Sequence, residues 1–233
     1  MRLKVILMAV LAVVITAVSV ASASAALPEI KSTFPVTAEG SATGTNIGEL
    51  STALSAPISS SKVSLSTTFT KAGDQGTYTA SFTGAEFQKE SCNTKGDADG
   101  TILISSTDNL VVALNEAKTA NVFGTLFQVP SEFAIECGPL GKPTIKITVE
   151  GAAIGAIEGV TEGTATSAFK GNLKCTKPNN GKQVQKEFKN EAGTFEKSIL
   201  KANLGLGNES ACEEVKEAVG LTTSHPVTFA NIK

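Results

Sequence analysis

The 233-residue chain has no Trp, one Tyr, one His and four Cys, and its two Met, Met1 and Met8, both fall in the first 25 residues. A single histidine leaves His225, beside Pro226, as the only centre for a nucleophile-base-orienter arrangement, and it reads better as a surface or hydrogen-bonded structural residue. The cysteines lie 45, 38 and 37 residues apart with no C-x2-C pair, so a zinc site would lack both its usual spacing and its histidines. Sugar rings are usually gripped by flat aromatic faces, and Tyr78 with eleven Phe, most of them needed for a core, offers little for that purpose. Charged residues are only 18%, without the A/E/K/L/R bias of long helices, which excludes a disordered tail or a coiled coil. Leaving out Arg2 and Lys4, 18 basic residues face 22 acidic ones, a balance that gives no reason to expect nucleic acid as partner.

What is present begins with an address. Arg2 and Lys4 precede an apolar run from Val5 to Val18, broken by Thr16, and Ala23-Ser24-Ala25 offers a small-residue cleavage pattern before Ala26. Residues 1–25 are therefore expected to be a signal peptide. A retained anchor is the competing reading, although the run is shorter than the ~20 residues that span a bilayer. Once the signal is removed, no stable membrane insertion is expected. In an oxidising compartment Cys92, Cys137, Cys175 and Cys212 are expected to form two disulfides. Three connectivities exist. Cys92 with Cys137 and Cys175 with Cys212 is preferred, because those pairs close the shorter loops.

Residues 26–61, rich in Thr, Ser, Ala and Pro, read as an extended lead-in with one strand-like piece at 32–38. From Lys62 the pattern turns to period two, with Val63, Leu65 and Thr67 on one face and Ser64, Ser66 and Thr68 on the other, as a half-buried strand requires. Tyr78, Ala80 and Phe82 alternate likewise, and Ile145, Ile147 and Val149 mark the clearest strand. Leu110-Val-Val-Ala-Leu114 is apolar throughout and is assigned to a strand on its β-branched content. Only Asn208 to Gly220 reads as a helix, with Asn208 as cap, Ala211, Cys212, Val215, Ala218 and Val219 on one face, and Gly220 to end it. The expected fold is all-β, an antiparallel sandwich or barrel-like meander over residues 62–233 with one short C-terminal helix. A duplication into halves 62–140 and 141–233 is a second organisation.

Local motifs carry little chemistry. Ser59-Ser-Ser-Lys62, Thr107-Asp-Asn109 and Lys118-Thr-Ala120 imitate the order of serine β-lactamase motifs, but the last two sit on one strand-turn unit with no room for the helical domain that presents the nucleophile. Asp97-Ala-Asp99-Gly100 matches part of a calcium loop, yet Lys95 and Ser106 would fall on ligand positions, so a hairpin turn is the better reading and calcium an open question. Gly151, Gly155, Gly159 and Gly163 repeat every four residues, and Glu158 and Glu162 make bulges and turns a better account than a membrane helix.

Gly96-Asp-Ala-Asp-Gly-Thr-Ile-Leu-Ile104, Ser106-Thr-Asp-Asn-Leu-Val-Val-Ala-Leu-Asn115, Ile147-Thr-Val-Glu-Gly-Ala-Ala-Ile-Gly155 and Leu204-Gly-Leu-Gly-Asn-Glu-Ser-Ala-Cys-Glu-Glu-Val215 together give the chain a likeness. It resembles small secreted proteins found in many paralogous copies in soil Actinobacteria of the Solirubrobacter kind. The resemblance implies an exported bacterial β-rich protein and carries over no functional residue.

The expected function is a non-catalytic, secreted structural or adhesive β-domain of the cell envelope, with cell-wall or extracellular components as partners. No catalytic residue, cofactor or metal is expected. Two other classes stay open. One is a secreted binder of a small apolar ligand inside a β-barrel, and the other is a hydrolase using two converging carboxylates.

Overall fold

The computed structural model describes residues 26–233 except 53, 54, 177–180, 191, 206 and 233, and every regular element among them is a β-strand. The signal segment and its Ala25 lie outside the described residues, and Ala26 is the first of these. The first eight strands are β1 (Glu29–Lys31), β2 (Val36–Thr52), β3 (Ile58–Phe69), β4 (Gln75–Thr83), β5 (Glu86–Phe87), β6 (Glu90–Thr94), β7 (Thr101–Leu114) and β8 (Asn121–Gln128). They are followed by β9 (Ala134–Cys137), β10 (Ile145–Glu158), β11 (Ala165–Asn172), β12 (Glu187–Lys189), β13 (Phe195–Lys197), β14 (Leu200–Asn203), β15 (Asn208–Val215) and β16 (Val219–Ala230). All belong to one antiparallel sheet.

Followed from strand to strand, the pairings close on themselves twice. The path β2-β3-β4-β7-β8-β10-β11-β16 returns to β2. So does the path β2-β3-β5-β6-β9-β10-β14-β15. The long strands β2, β3 and β10 run through both circuits. Closure pairs backbone groups that an open sheet would leave exposed at its edges.

Strand β2 passes from one circuit to the other through a register shift between Thr43 and Gly48. Strand β10 does so at Gly151, which pairs with Leu200 of β14 just before Ala152 pairs with Gln128 of β8. Gly151 has φ 99°, and a Cβ there would stand 2.0 Å from the Ile199 carbonyl oxygen, so only glycine fits the crossing. Gly159 and Gly163 are positive-φ positions after β10, while Gly155 lies within the strand.

Alternation sets the inside and the outside. In β4 the buried Tyr78, Ala80 and Phe82 face inward while Thr77 and Thr79 are exposed. The apolar run of β7 is buried on both faces. Leu110 belongs to the main core, whereas Val111 and Ala113 join Leu126, Ala152 and Ile154 in a second cluster against Phe188 of β12, which pairs with Ala113. That second burial explains the missing polar alternation and bears out a strand over the helix it could have been.

Two expectations are corrected. Asn208 to Val215 is not a helix but β15, paired with β14 on one side and β2 on the other, and β16 already begins at Val219. A capped helix of about a dozen residues is marginal by itself, and two ladders plus the bond from Cys212 to Cys175 outweigh it. The stretch 26–61 is no lead-in either, because β2 lies at the centre of the sheet, pairing with β3, β15 and β16. Its inward positions Val36, Ala38, Gly40 and Ala42 are mostly small, which mutes the alternation in sequence. The two circuits interleave segments from before and after residue 140, so they are not the halves 62–140 and 141–233.

Candidate functional site

Inward-facing residues of the two circuits enclose two neighbouring cavities of about 60 and about 40 Å³. Their walls are overwhelmingly apolar. Phe82, Ile104, Val129 and Glu213 line both, so these four form the boundary between them. Around the larger cavity Tyr78 meets Phe127 edge to face at 5.0 Å between ring centres, and Phe169 packs edge to face on Phe229 at 5.3 Å. The Tyr78 hydroxyl donates to the Gln128 carbonyl at 2.8 Å, and burial with the nearby charges of Glu213 and Asp108 pushes its pKa up.

Glu213 is the anomaly in this interior. It sits on β15 opposite Leu50, on the same strand face as Ala211 and Val215. The backbone there is held firmly. Gln183 donates from Nε2 to the Glu213 carbonyl at 2.8 Å and accepts the Glu213 N–H on Oε1 at 3.2 Å, where β14 no longer reaches. The neighbouring Cys212 is bonded to Cys175, which bridges to Gln183. Yet no hydrogen bond or ion pair from a described residue reaches the Glu213 carboxylate. The residue is half-buried and lines both cavities, and burial pushes its pKa up to about 7.

Two other carboxylates offer a comparison. Asp108, fully buried on β7, accepts from the Thr67 hydroxyl at 2.6 Å on Oδ2, has no partner among the described residues for Oδ1, and lines neither cavity. Its pKa is pushed up to about 6 by burial, against the lowering effect of the Thr67 bond. Glu49 lines the smaller cavity but is paired with Lys216 at 2.7 Å. Among the described residues neither cavity has a Lys, Arg or His in its wall.

The residues singled out in sequence lie elsewhere. Cys92 is bonded to Cys137 across β6 and β9, and Cys175 to Cys212, the same two pairs that close the shorter loops. His225 is exposed, with Nδ1 3.3 Å from the Ser224 hydroxyl of the adjacent residue. Asp97 is hydrogen-bonded to the Thr94 hydroxyl, and its N–H donates to the Thr94 carbonyl, so the 94–101 loop is a turn held by its own side chain. Among the described residues no group of three or more His, Cys, Asp or Glu is placed to hold a metal ion, and no helix is long and apolar enough to cross a membrane. Of the imitation motifs, Asp108 is buried with Thr67 and Lys118 pairs with Glu187 at 3.1 Å.

Glu213 was missed in sequence because its segment carries a helical signature. Placed on a strand, it stands out as a charge between two apolar residues on the inward face.

The outer surface of the same sheet has an opposite character. Across β2, β3, β4 and β7 the outward residues fall into register: Thr37, Thr68, Thr77 and Thr107 form one row, and Glu39, Ser66, Thr79 and Ser105 the next. Ser41, Ser64, Ser81 and Leu103 form a third. Cross-strand hydroxyl pairs tie the rows, as at Thr37 and Thr68 (3.1 Å) and at Thr79 and Ser105 (3.0 Å).

Set against known proteins, the chain matches no family model, no curated protein and no solved structure.

Proposed function

We propose that this is a non-catalytic exported β-barrel that carries a slender apolar ligand in its interior. The observation that carries the reading is the pair of apolar cavities meeting at an ionisable side chain without a partner. An eight-stranded barrel is just wide enough either to be filled by its own side chains or to hold one small ligand. A core selected for stability alone gains nothing from an unpaired carboxylate, which costs several kcal/mol to bury, and such breaches of packing rules gather at functional sites. The larger cavity, about 60 Å³, falls short of the roughly 150 Å³ that admits a benzene ring. Slenderness follows, and a bound chain would displace lining side chains such as Phe127. Export is supported by the leader-like first 25 residues and by two disulfides.

The test is calorimetric titration of the purified chain, disulfides intact, with decanol. Saturable one-to-one binding that leaves the fold unchanged is expected. No saturable uptake by folded protein would overturn the proposal.

A second reading has its own observation. The rows of outward Ser and Thr on β2, β3, β4 and β7 present hydroxyl groups in register, suited to hydrogen bonding with a polyhydroxylic cell-wall glycan in an adhesive or structural role. Co-sedimentation with insoluble peptidoglycan, lost when Thr77, Thr79 and Thr107 are replaced by Glu, is its expected signature.

A further inference from the structure

The boundary between the two cavities has a definite chemistry. Phe82, Ile104 and Val129 are apolar, and Glu213 supplies the only ionisable group common to both walls. The groups that could neutralise it are committed elsewhere or absent. Lys216, three residues along the chain, is paired with Glu49, and Gln183 spends its amide on the Glu213 backbone. The position is fixed rather than loose, because the Cys175–Cys212 bond and the two Gln183 hydrogen bonds hold β15 on either side of it. A rigidly placed acceptor with apolar space before and behind it is half of a recognition pair.

We infer that the Glu213 carboxylate seats the protonated amine of an alkylamine whose hydrocarbon chain lies in the adjoining cavities. The inference rests on the interior being a ligand site. An ammonium group brings the cation that the wall lacks and donates to the carboxylate in a charge-assisted hydrogen bond. An alkyl alcohol can donate but brings no charge. A fatty acid is disfavoured, since its carboxylate would lie against Glu213 with no Lys, Arg or His of either wall to separate them.

The experiment compares decylamine, decanol and decanoate by calorimetric titration of the full disulfide-bonded chain at about pH 8, where Glu213 is largely ionised. Decylamine is expected to bind about tenfold or more tightly than decanol, the worth of a hydrogen bond to a charged group, with decanoate the weakest. Glu213→Gln, which keeps the shape and removes the charge, is expected to bring decylamine to within about twofold of decanol while decanol itself still binds. Because the outer surface is unchanged in that variant, amine adsorbed on external carboxylates would keep its preference there. Equal binding of all three ligands by the wild type, or an amine preference that survives Glu213→Gln, would overturn the inference and leave the interior standing as a ligand site. Failure of all three to bind would remove the ligand site and the inference together. Should the variant fold poorly, the wild-type series still decides.

Discussion

Asp108 and Glu213 are both carboxylates inside the same apolar interior, and they differ in company. Asp108 has a hydroxyl donor on one of its two oxygens and lines neither cavity; no described residue donates to the Glu213 carboxylate, and it lines both cavities. One is a polar residue tied into the wall of the sheet. The other is an acceptor held open. Burial raises both pKa values, so burial alone does not tell the two apart; the Thr67 hydroxyl on Asp108 and the cavities beside Glu213 do.

The comparison can be broken first by pH. Both folded-state pKa values, about 6 for Asp108 and about 7 for Glu213, lie above those of the unfolded chain near 4. Between these limits the folded protein holds protons that the unfolded chain has released. Stability is therefore fullest below about pH 4 and declines as pH rises through 6 and 7, by roughly 3 kcal/mol per carboxylate. Urea midpoints at several pH values will measure it, and a midpoint that climbs between about pH 4 and 8 would contradict the burial of both groups.

Next in size come the disulfides. Replacing Cys175 and Cys212 together by Ala should cost about 3 to 4 kcal/mol in urea unfolding, and replacing Cys92 and Cys137 a similar amount. Only the first pair adjoins Glu213, so only its loss should also weaken decylamine binding relative to decanol. Equal effects of both pairs on that ratio would detach the disulfide from the site.

The two carboxylates then separate by opposite signs. Glu213→Gln should stabilise the fold by roughly 2 to 3 kcal/mol at about pH 8 and hardly at all near pH 4, since it removes a charge that is costly only when ionised. Thr67→Val should destabilise by roughly 1.5 to 2 kcal/mol at about pH 8, because Asp108 loses its hydroxyl donor. Chemical denaturation at both pH values gives all four numbers. A loss of stability in Glu213→Gln would mean that its carboxylate has a structural partner after all.

Much of the strand content was legible because one-sided burial writes itself as alternation, as in Tyr78, Ala80 and Phe82 or Ile145, Ile147 and Val149. Where burial is two-sided, as at Val111 and Ala113 beneath Phe188, the pattern disappears, and β-branched content had to decide. Where the inward residues are small, as along β2, the pattern fades and a central strand reads as a loop. At Ala211 to Val215 a local helical signature yielded to ladders with β14 and β2, contributed by residues far away in sequence.

By itself the sequence determined the all-β class, through period-two alternation broken by turn residues, and the poverty of histidine and aromatic side chains that leaves familiar catalytic and sugar-binding patterns without their parts. Tertiary structure alone decided that the strands close into two circuits sharing β2, β3 and β10, because pairing partners are set by long-range register rather than by local propensity. It also decided that Glu213 would line the boundary between the two cavities, since which face a side chain occupies follows from how its strand is paired.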